Sequence, residues 1–200
     1  MLLKYKNNKH VFLPNSVFFS KEETVKEINA AIRQCKKPIV VFSREQQSMQ
    51  EAKKLNGITS ILLPDVVLGW NIDKYMEEHR LSNSNGENTL YISRNDIEKI
   101  GNQNIKADKI SDWPTMSSRP SYIKDCNAHD WSFDIRKRLV NDAINFIVPY
   151  KKVYSDRMHG AILSWLLGKE TILIDNSYHK SSSLYNTWLK DEETIKMLQK

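Results

Sequence analysis

The stretch Ser155-Asp-Arg-Met-His-Gly160 carries the side chains of this sequence that are best suited to chemistry. An apolar run follows it and ends at Gly168, which predicts a largely buried helix. Arg157 and His159 fall in the first turn of that helix, where backbone N–H groups lack partners within the helix. The spacing therefore brings a guanidinium, an imidazole and several N–H donors to one place, and we expect an anionic ligand there.

The two side chains suggest different roles. A guanidinium matches the oxygen pairs of carboxylates and phosphates, so Arg157 is suited to clamp an anion; an ordinary salt bridge is the alternative. His159 is suited to donate a proton, and a structural histidine is the alternative. The positive end of a helix favours the neutral imidazole, whereas a bound dianion favours the protonated one. Gly160 would let a ligand approach the backbone closely.

Further polar residues follow predicted strands. Arg44 follows a strand at 39–42, and Arg94 follows a strand at 89–93. Open α/β sheets bind their ligands at the carboxyl ends of such strands, so we interpret both arginines as substrate-binding residues. We interpret a third group, which follows a strand at 171–174, as substrate-binding residues too, and an ordinary polar turn is the alternative. Its members are Asn176, Ser177, Tyr178 and Lys180, with Asp175 and His179 beside them.

The order of the predicted elements indicates an α/β fold with parallel sheets, because strands and helices alternate along the chain. The predicted strands span residues 11–13, 39–42, 58–63, 89–93, 105–110, 152–155 and 171–174. The predicted helices span about 20–35, 45–55, 134–147, 156–168 and 181–189, and an amphipathic helix is expected at 191–200.

Two lobes are expected. The pattern weakens between residues 71 and 86, and the polar stretch 82–86 has the composition of an exposed loop. We therefore assign residues 1–80 to an amino-terminal Rossmann-like lobe and residues 87–200 to a carboxyl-terminal Rossmann-like lobe with the Arg-x-His site. Residues 111–131 are rich in Ser, Pro and polar side chains, and no element is assigned to them.

Composition narrows the function classes. The 200 residues are 40% hydrophobic, which is enough for a core, and no apolar run approaches the ~20 residues that span a bilayer. The amino terminus lacks a secretory signal, so we expect a cytoplasmic protein.

Cys35 and Cys126 lie far apart, which predicts reduced thiols and signals no metal site. The net charge of +6 allows anionic partners, but no nucleic-acid-binding motif is present, so nucleic acid is not expected.

The motifs of this chain resemble those of the polysaccharide pyruvyl transferase family. The match is most specific at residues 155–160, which are similar to [Ser/Thr]-Asp-Arg-[Leu/Met]-His-Gly, and at 175–180, which are similar to Asp-Asn-Ser-Tyr-x-Lys. His179 stands where Gly is common, and Asn15 stands where Gln is usual. Further matching motifs are Leu13-Pro14-Asn15-Ser16, Arg44-Glu45 with Ser48, Pro64-Asp65, Arg94-x-Asp96-x-Glu98, and Tyr185 with Trp188.

The resemblance implies a function. The family moves the pyruvyl unit of phosphoenolpyruvate onto a sugar as a ketal during bacterial exopolysaccharide or cell-wall polymer synthesis. It implies that Arg157 and His159 are catalytic, that Arg157 and Arg44 bind the donor's phosphate and carboxylate with Arg94 as a further ligand, and that His159 protonates the methylene carbon. It implies no cofactor or metal beyond phosphoenolpyruvate as the donor substrate.

The resemblance also implies a GT-B-like arrangement of the lobes. Because family members begin with a further segment containing an Asn-x-Gly-Asp-type motif, the expected amino-terminal lobe is truncated. The acceptor would be a nucleotide- or lipid-linked sugar, which is compatible with peripheral association with the cytoplasmic membrane face and with an oligomer.

Two alternative functions stay open at this point. The chain could be a non-catalytic truncated relative that works with a partner, which a large exposed apolar sheet edge near residues 11–13 would favour. It could also be a GT-B-like glycosyltransferase that uses a sugar nucleotide, and such an enzyme would bind a nucleotide and ignore phosphoenolpyruvate.

Overall fold

The computed structural model describes residues 1–84, 86–101, 103–114 and 132–199. Every strand pairing in these ranges is parallel, which confirms the predicted α/β class. The chain forms two compact units. The first comprises Met1–Gly69 and Ser183–Leu189, and the second comprises Trp70–Ser182 and Lys190–Lys200.

The first unit contains a three-stranded parallel sheet in the order β1-β2-β3. Its strands are β1 (His10–Asn15), β2 (Ile39–Ser43) and β3 (Ile58–Leu62). Its helices are α1 (Glu22–Ile32), α2 (Gln46–Ala52), the 3-10 helices Leu2–Tyr5 and Val66–Gly69, and the π-helical turn Tyr185–Leu189. The predicted alternation of strands and helices over residues 11–63 is therefore confirmed.

Helix α1 covers this sheet through its apolar face, with Ile28 and Ile32 packed against Ile39 and Val41. A buried amide fixes the next connection, because the Asn29 side chain donates to the Lys54 carbonyl (3.0 Å) and accepts the Asn56 N–H (2.7 Å). These contacts hold the turn that leads into β3.

One edge of the sheet is exposed. Strand β1 is an edge strand among the described residues, and its Val11, Phe12 and Leu13 side chains are 50%, 38% and 71% exposed. Residues of this strand line an apolar cavity of about 700 Å³ together with Leu2, Leu3, Ile28 and Ile58. The structure thus contains the exposed apolar sheet edge near residues 11–13 that the sequence analysis considered.

The second unit contains a five-stranded parallel sheet in the order β5-β4-β6-β7-β8. Its strands are β4 (Asn88–Ile92), β5 (Lys109–Ser111), β6 (Tyr150–Ser155), β7 (Glu170–Leu173) and β8 (Ile195–Met197). Its helices in the described ranges are α3 (Ile72–Glu78), α4 (Phe133–Ile147), α5 (Met158–Leu166) and the start of α6 (Lys180–Leu184), which continues into the first unit.

The core of the second unit explains its long apolar runs. Ile144 and Ile147 of α4 pack with the strand residues Leu90, Ile92 and Val153, and all five side chains are fully buried. Helix α5 is buried over residues 160–164, as its apolar sequence predicts, and it ends before Gly168, whose φ of 72° favours glycine. None of the helices in the described ranges combines the length and hydrophobicity needed to cross a membrane.

Two sequence predictions differ from the structure. The weak pattern after residue 71 forms α3, whose buried Ile72 and Met76 join the core of the second unit, although residues 1–80 were assigned to the first lobe. The helix predicted at 191–200 is wrong, because Ile195 is buried and pairs with Thr171 as part of strand β8. Most of the unassigned stretch, residues 115–131, lies outside the described residues.

The register of the second sheet determines what its carboxyl edge presents. Ile92 of β4 aligns with Ser111 of β5 and with Ser155 of β6, and Ser155 aligns with Leu173 of β7. The four strands therefore end at the same level, and the residues that follow them meet at one edge.

Candidate active site at the carboxyl edge of the second sheet

The start of α5 is fixed by a buried hydroxyl. Arg157 is the N-cap residue, with an extended backbone (φ −92°, ψ 109°), and Met158 begins the helix. The Ser155 Oγ accepts the Arg157 N–H (3.1 Å) and donates to the Arg157 carbonyl (2.8 Å). Ser155 therefore orients the backbone of Arg157, so its contribution differs from the helix cap that its position suggests.

Gly160 has a packing role here. A Cβ atom at this position would lie 2.9 Å from the Ser155 Oγ and 3.2 Å from the Ile92 Cδ1. Protein atoms thus occupy the space beside Gly160, so the prediction that this glycine admits a ligand is wrong. Its missing side chain lets the first turn of α5 lie directly on the ends of β4 and β6.

Asp156 connects two strand ends. Its side chain is buried, and its Oδ1 accepts the Arg94 backbone N–H (2.6 Å) while its Oδ2 accepts the Tyr91 hydroxyl (3.3 Å). Burial raises the pKa of Asp156. Ser155 and Asp156, at the end of β6, therefore orient the backbones of Arg157 and Arg94 respectively.

The Arg157 side chain binds two carboxylates. Its Nε and Nη2 donate to the two oxygens of Asp112 (2.9 and 2.7 Å), and its Nη1 lies 2.8 Å from the Asp96 Oδ2. Hydrogen bonding to Asp112 raises the pKa of Arg157 further above its ordinary value. Arg157, which the sequence predicts to bind an anion, is thus paired with two carboxylates of the protein itself.

Arg94 shares one of these carboxylates. Its Nε and Nη2 donate to the Asp96 oxygens (2.8 and 3.2 Å), and its Nη1 lies 2.8 Å from the Glu98 Oε2. The hydrogen bonds from Arg94 lower the pKa of Asp96 to about 2. Asp96 therefore bridges Arg94 and Arg157, and the structure brings these two predicted site residues together.

The loop after β7 joins the same group of charges through Glu98. Asn176 donates its Nδ2 to the Glu98 Oε2 (3.2 Å), and the Lys180 Nζ lies 3.6 Å from the Glu98 Oε1. The Ser177 N–H donates to the Glu98 carbonyl (3.1 Å). The Lys180 Nζ also lies 4.9 Å from the centre of the Tyr178 ring. The residues predicted after β7 thus lie beside the Arg94 position.

Two histidines occupy this edge of the sheet. His159 is exposed in the first turn of α5, two positions after Arg157. His179 has a φ of 56°, and its Nδ1 lies 2.7 Å from the Asp175 Oδ2. That left-handed conformation gives a physical reason for the glycine that is common at this position in the motif.

Arg44 belongs to the first unit, whereas the other predicted site residues belong to the second. Its Nη1 donates to the Asp65 Oδ2 (2.8 Å), and its Nε donates to the Ser16 Oγ (3.0 Å) and lies 3.3 Å from the Glu45 Oε2. Its side chain is only 12% exposed. Arg44 therefore ties together residues that follow β1, β2 and β3, and its assignment to the substrate stays a prediction.

The segment 183–189 supports Arg44 from the far end of the sequence. The Trp188 Nε1 donates to the Arg44 carbonyl (2.7 Å). The hydroxyl oxygens of Thr187 and Ser183 accept the N–H groups of Gln46 (3.3 Å) and Gln47 (3.2 Å), which begin α2. Residues from the carboxyl-terminal part of the chain therefore complete the start of α2.

The acidic partners were not assigned from the sequence. Asp96 and Glu98 stood within a matching motif but received no role, and Asp112 stood in the stretch without assigned elements. The only signal for Asp112 was its position just after a predicted strand. In the described part of the chain, no three His, Cys, Asp or Glu side chains are grouped so that they could hold a metal ion.

The positive and negative side chains of this site are balanced, and this balance affects how an anion could bind. Three cationic side chains face three carboxylates, and Arg157 already shares its hydrogen bonds with two of them. An anionic ligand that takes the place of one of these carboxylates would contact the Arg157 guanidinium directly. The cations are Arg94, Arg157 and Lys180, and the carboxylates are Asp96, Glu98 and Asp112.

Comparison with known proteins identifies relatives that match nearly the whole chain. EpsO of Bacillus subtilis (strain 168), described as a putative pyruvyl transferase, is 29% identical over 214 residues, which cover 98% of this chain and 64% of EpsO. General stress protein 30 of the same organism is 25% identical over 203 residues, which cover 98% of this chain and 56% of that protein. The chain thus spans less than two thirds of the length of either relative.

The fold has a counterpart among solved structures. A crystal structure of a functionally uncharacterized protein from Klebsiella pneumoniae matches with a TM-score of 0.57 and 21% identity, over 96% of this chain and 74% of that one. The family model described as polysaccharide pyruvyl transferase matches residues 1–178, which include the start of α5 and the carboxylates around Arg157. The chain therefore belongs to the polysaccharide pyruvyl transferase family.

Proposed function

We propose that this protein transfers the pyruvyl unit of phosphoenolpyruvate to a sugar as a ketal during the synthesis of a polysaccharide. The observation that carries the proposal is the position of Arg157 and His159. Arg157 is the N-cap residue of α5 and His159 lies in its first turn, at the carboxyl edge of a parallel sheet, within the part of the chain that the family model matches. That edge is where α/β sheets bind their substrates.

In this proposal, phosphoenolpyruvate contacts the cationic side of the site. The donor carries a carboxylate and a phosphate, and a guanidinium binds either group through paired hydrogen bonds. Arg157 is the first ligand; Arg94 shares the Asp96 carboxylate with Arg157, and Lys180 shares the Glu98 carboxylate with Arg94. The amide of Asn176 and the hydroxyls of Ser177 and Tyr178 suit the polar groups of a sugar.

The reaction needs a proton at the methylene carbon of the donor. The His159 imidazolium gives its proton to C3, which becomes a methyl group, and C2 becomes electrophilic. A sugar hydroxyl adds to C2 and loses its proton, which restores the imidazolium. A second hydroxyl of the same sugar then forms the other C2–O bond as the C2–phosphate bond breaks, and its proton leaves with the phosphate. The products are the ketal and inorganic phosphate.

The acceptor in this proposal is a nucleotide- or lipid-linked sugar. Support for the reaction class comes from EpsO, which is described as a putative pyruvyl transferase. The match to EpsO covers 98% of this chain. Binding of a sugar nucleotide alone would instead support a glycosyltransferase. We therefore choose a first experiment that compares the two donors directly.

The experiment is a calorimetric titration of the purified chain with phosphoenolpyruvate and, separately, with UDP-sugars. We expect the chain to bind phosphoenolpyruvate, Arg157→Lys to weaken binding about tenfold or more, and Arg136→Lys, on the exposed face of α4, to leave it unchanged. His159→Asn should retain binding and lose phosphoenolpyruvate-dependent phosphate release. Binding of UDP-sugars alone, or phosphate release that survives His159→Asn, would contradict the proposal.

A further inference from the structure

Arg157 is held unequally by its two carboxylates. Asp112 receives both Nε and Nη2 of the guanidinium (2.9 and 2.7 Å), whereas Asp96 receives only Nη1 (2.8 Å). A bidentate pair fixes the plane of a guanidinium, and a single hydrogen bond does not. We call the Nε–Nη2 side the held edge of Arg157 and the Nη1 side its exchange end.

The exposure of the two carboxylates to solvent also indicates that Asp112 is held more firmly than Asp96. The Asp112 side chain is 11% exposed, and its Oδ1 also accepts the Trp113 N–H (2.7 Å). The Asp96 side chain is 40% exposed. An ion pair that is open to water contributes little and is readily exchanged, whereas a largely buried bidentate pair is costly to break. A ligand that arrives from solvent therefore meets Asp96 before Asp112.

Asp96 would stay bound to Arg94 if the hydrogen bond between Asp96 and Arg157 broke. The Arg94 Nε and Nη2 bind both oxygens of Asp96, and the Glu98 N–H adds a third hydrogen bond to this carboxylate (3.1 Å). Losing the Arg157 Nη1 would leave these bonds in place. For Asp112, leaving Arg157 would break two hydrogen bonds of a largely buried ion pair, which would cost more.

We propose that Asp96 is the resident counter-ion of Arg157, which the donor's anionic group replaces at the exchange end, and that Asp112 is a positioning residue that stays on the held edge throughout. The inference rests on the proposed function. Asp96 then competes with the donor for Arg157, while Asp112 aims the guanidinium at it. Removing each negative charge should therefore change donor affinity in opposite directions.

The test is a titration of the full chain with phosphoenolpyruvate. Asp96→Asn should bind about two- to fivefold more tightly than the unmodified chain, because a competing charge is gone. Asp112→Asn should bind about tenfold more weakly, because the guanidinium loses its alignment. Asp191→Asn removes the same charge from an exposed position outside the site and should have no effect beyond experimental error.

Turnover distinguishes positioning from general damage. With Asp96→Asn we expect a lower KM for phosphoenolpyruvate. With Asp112→Asn we expect both a higher KM and a lower kcat. Asp112→Glu should partly restore both constants, because it returns a carboxylate. Asp96→Ser serves as a second variant, and circular dichroism spectra verify that each variant is folded. If Arg157→Lys weakens binding but folded Asp96→Asn and Asp96→Ser bind no better than the unmodified chain, the counter-ion role is overturned.

The failure of the proposed function would look different. If the unmodified chain does not bind phosphoenolpyruvate, or if Arg157→Lys has no effect on binding, the donor site itself is wrong and the exchange falls with it. If Asp112→Asn binds and turns over normally, the positioning role is overturned while the donor site stands.

Discussion

Two arginines that follow strands, Arg44 in the first unit and Arg157 in the second, show how similar positions in sequence lead to different environments. The acids around Arg44 are closed to water, with Glu45 and Asp65 side chains 1% and 5% exposed. Around Arg157 the bridging Asp96 is 40% exposed. The comparison teaches that the exposure of the acidic partner, more than the position of the arginine, decides how readily water reaches the ion pair and screens it.

The largest expected effect concerns Arg44. Arg44→Met would leave Asp65 and Glu45 buried without their cation, which should lower the free energy of unfolding by about 3 kcal/mol. Chemical denaturation followed by circular dichroism measures this difference. Arg33→Met, at an exposed position after α1, is the control and should cost less than about 0.5 kcal/mol. Equal effects of the two substitutions would show that the buried cluster contributes nothing particular to stability.

A smaller effect is expected beneath Arg157, where packing fixes the backbone. Gly160→Ala would push a methyl group against the Ser155 Oγ and Ile92, and we expect a loss of about 2 kcal/mol in the free energy of unfolding. The matched control is Gly69→Ala, because a Cβ atom there meets nothing within 4 Å. Thermal unfolding compares the two variants. A well-tolerated Gly160→Ala would mean that the start of α5 adjusts easily, and Arg157 would then depend on its ion pairs for its position.

The smallest effect is expected for the exposed carboxylate. Asp96→Asn should cost about 0.5 kcal/mol of stability at neutral pH, despite its several hydrogen bonds, because water screens them. The folded pKa of Asp96 is about 2, below its ordinary value of 3.8, so its stabilisation is complete above about pH 4 and is lost as the pH falls through 2.

Acid titration of the two chains examines this last prediction. The stability difference between the unmodified chain and Asp96→Asn should shrink as the pH falls from about 4 to 2. Asp156 changes stability in the opposite direction, since its raised pKa favours the protonated folded state, but it is present in both chains and cancels in the difference. A stability difference that stays constant over this range would contradict the low pKa of Asp96.

Much of the fold could be predicted from periodicity. Helix α4 was expected at 134–147 from the spacing of Ile135, Leu139, Ala143 and Ile147, and it spans Phe133–Ile147 with Ala143 and Ile147 buried. Strand β8 was expected to be helical, because its three residues carry too short a pattern and their pairing with β7 depends on distant neighbours. Helix α3 was missed since its seven residues bury only Ile72 and Met76.

The cations of the site could be predicted, and their acidic partners could not. Arg94 and Arg157 stand at recognisable positions after strands, so topology alone brought them to one edge. Pairing between Arg157 and Asp112 joins residues 45 positions apart, and no local pattern in the sequence encodes it. Asp96 was visible in its motif, but its place between two arginines depends on the register of β4 with β6.

The return of residues 183–189 to the first unit affects how that unit can form. Trp188 donates to the Arg44 carbonyl across 144 positions of sequence, and the segment that contains it is made long after the first unit's strands. The sheet of β1, β2 and β3 can assemble early in synthesis, but the start of α2 lacks its hydroxyl partners until residues 183–189 have left the ribosome. A single cut after Gly69 therefore cannot release a finished first unit.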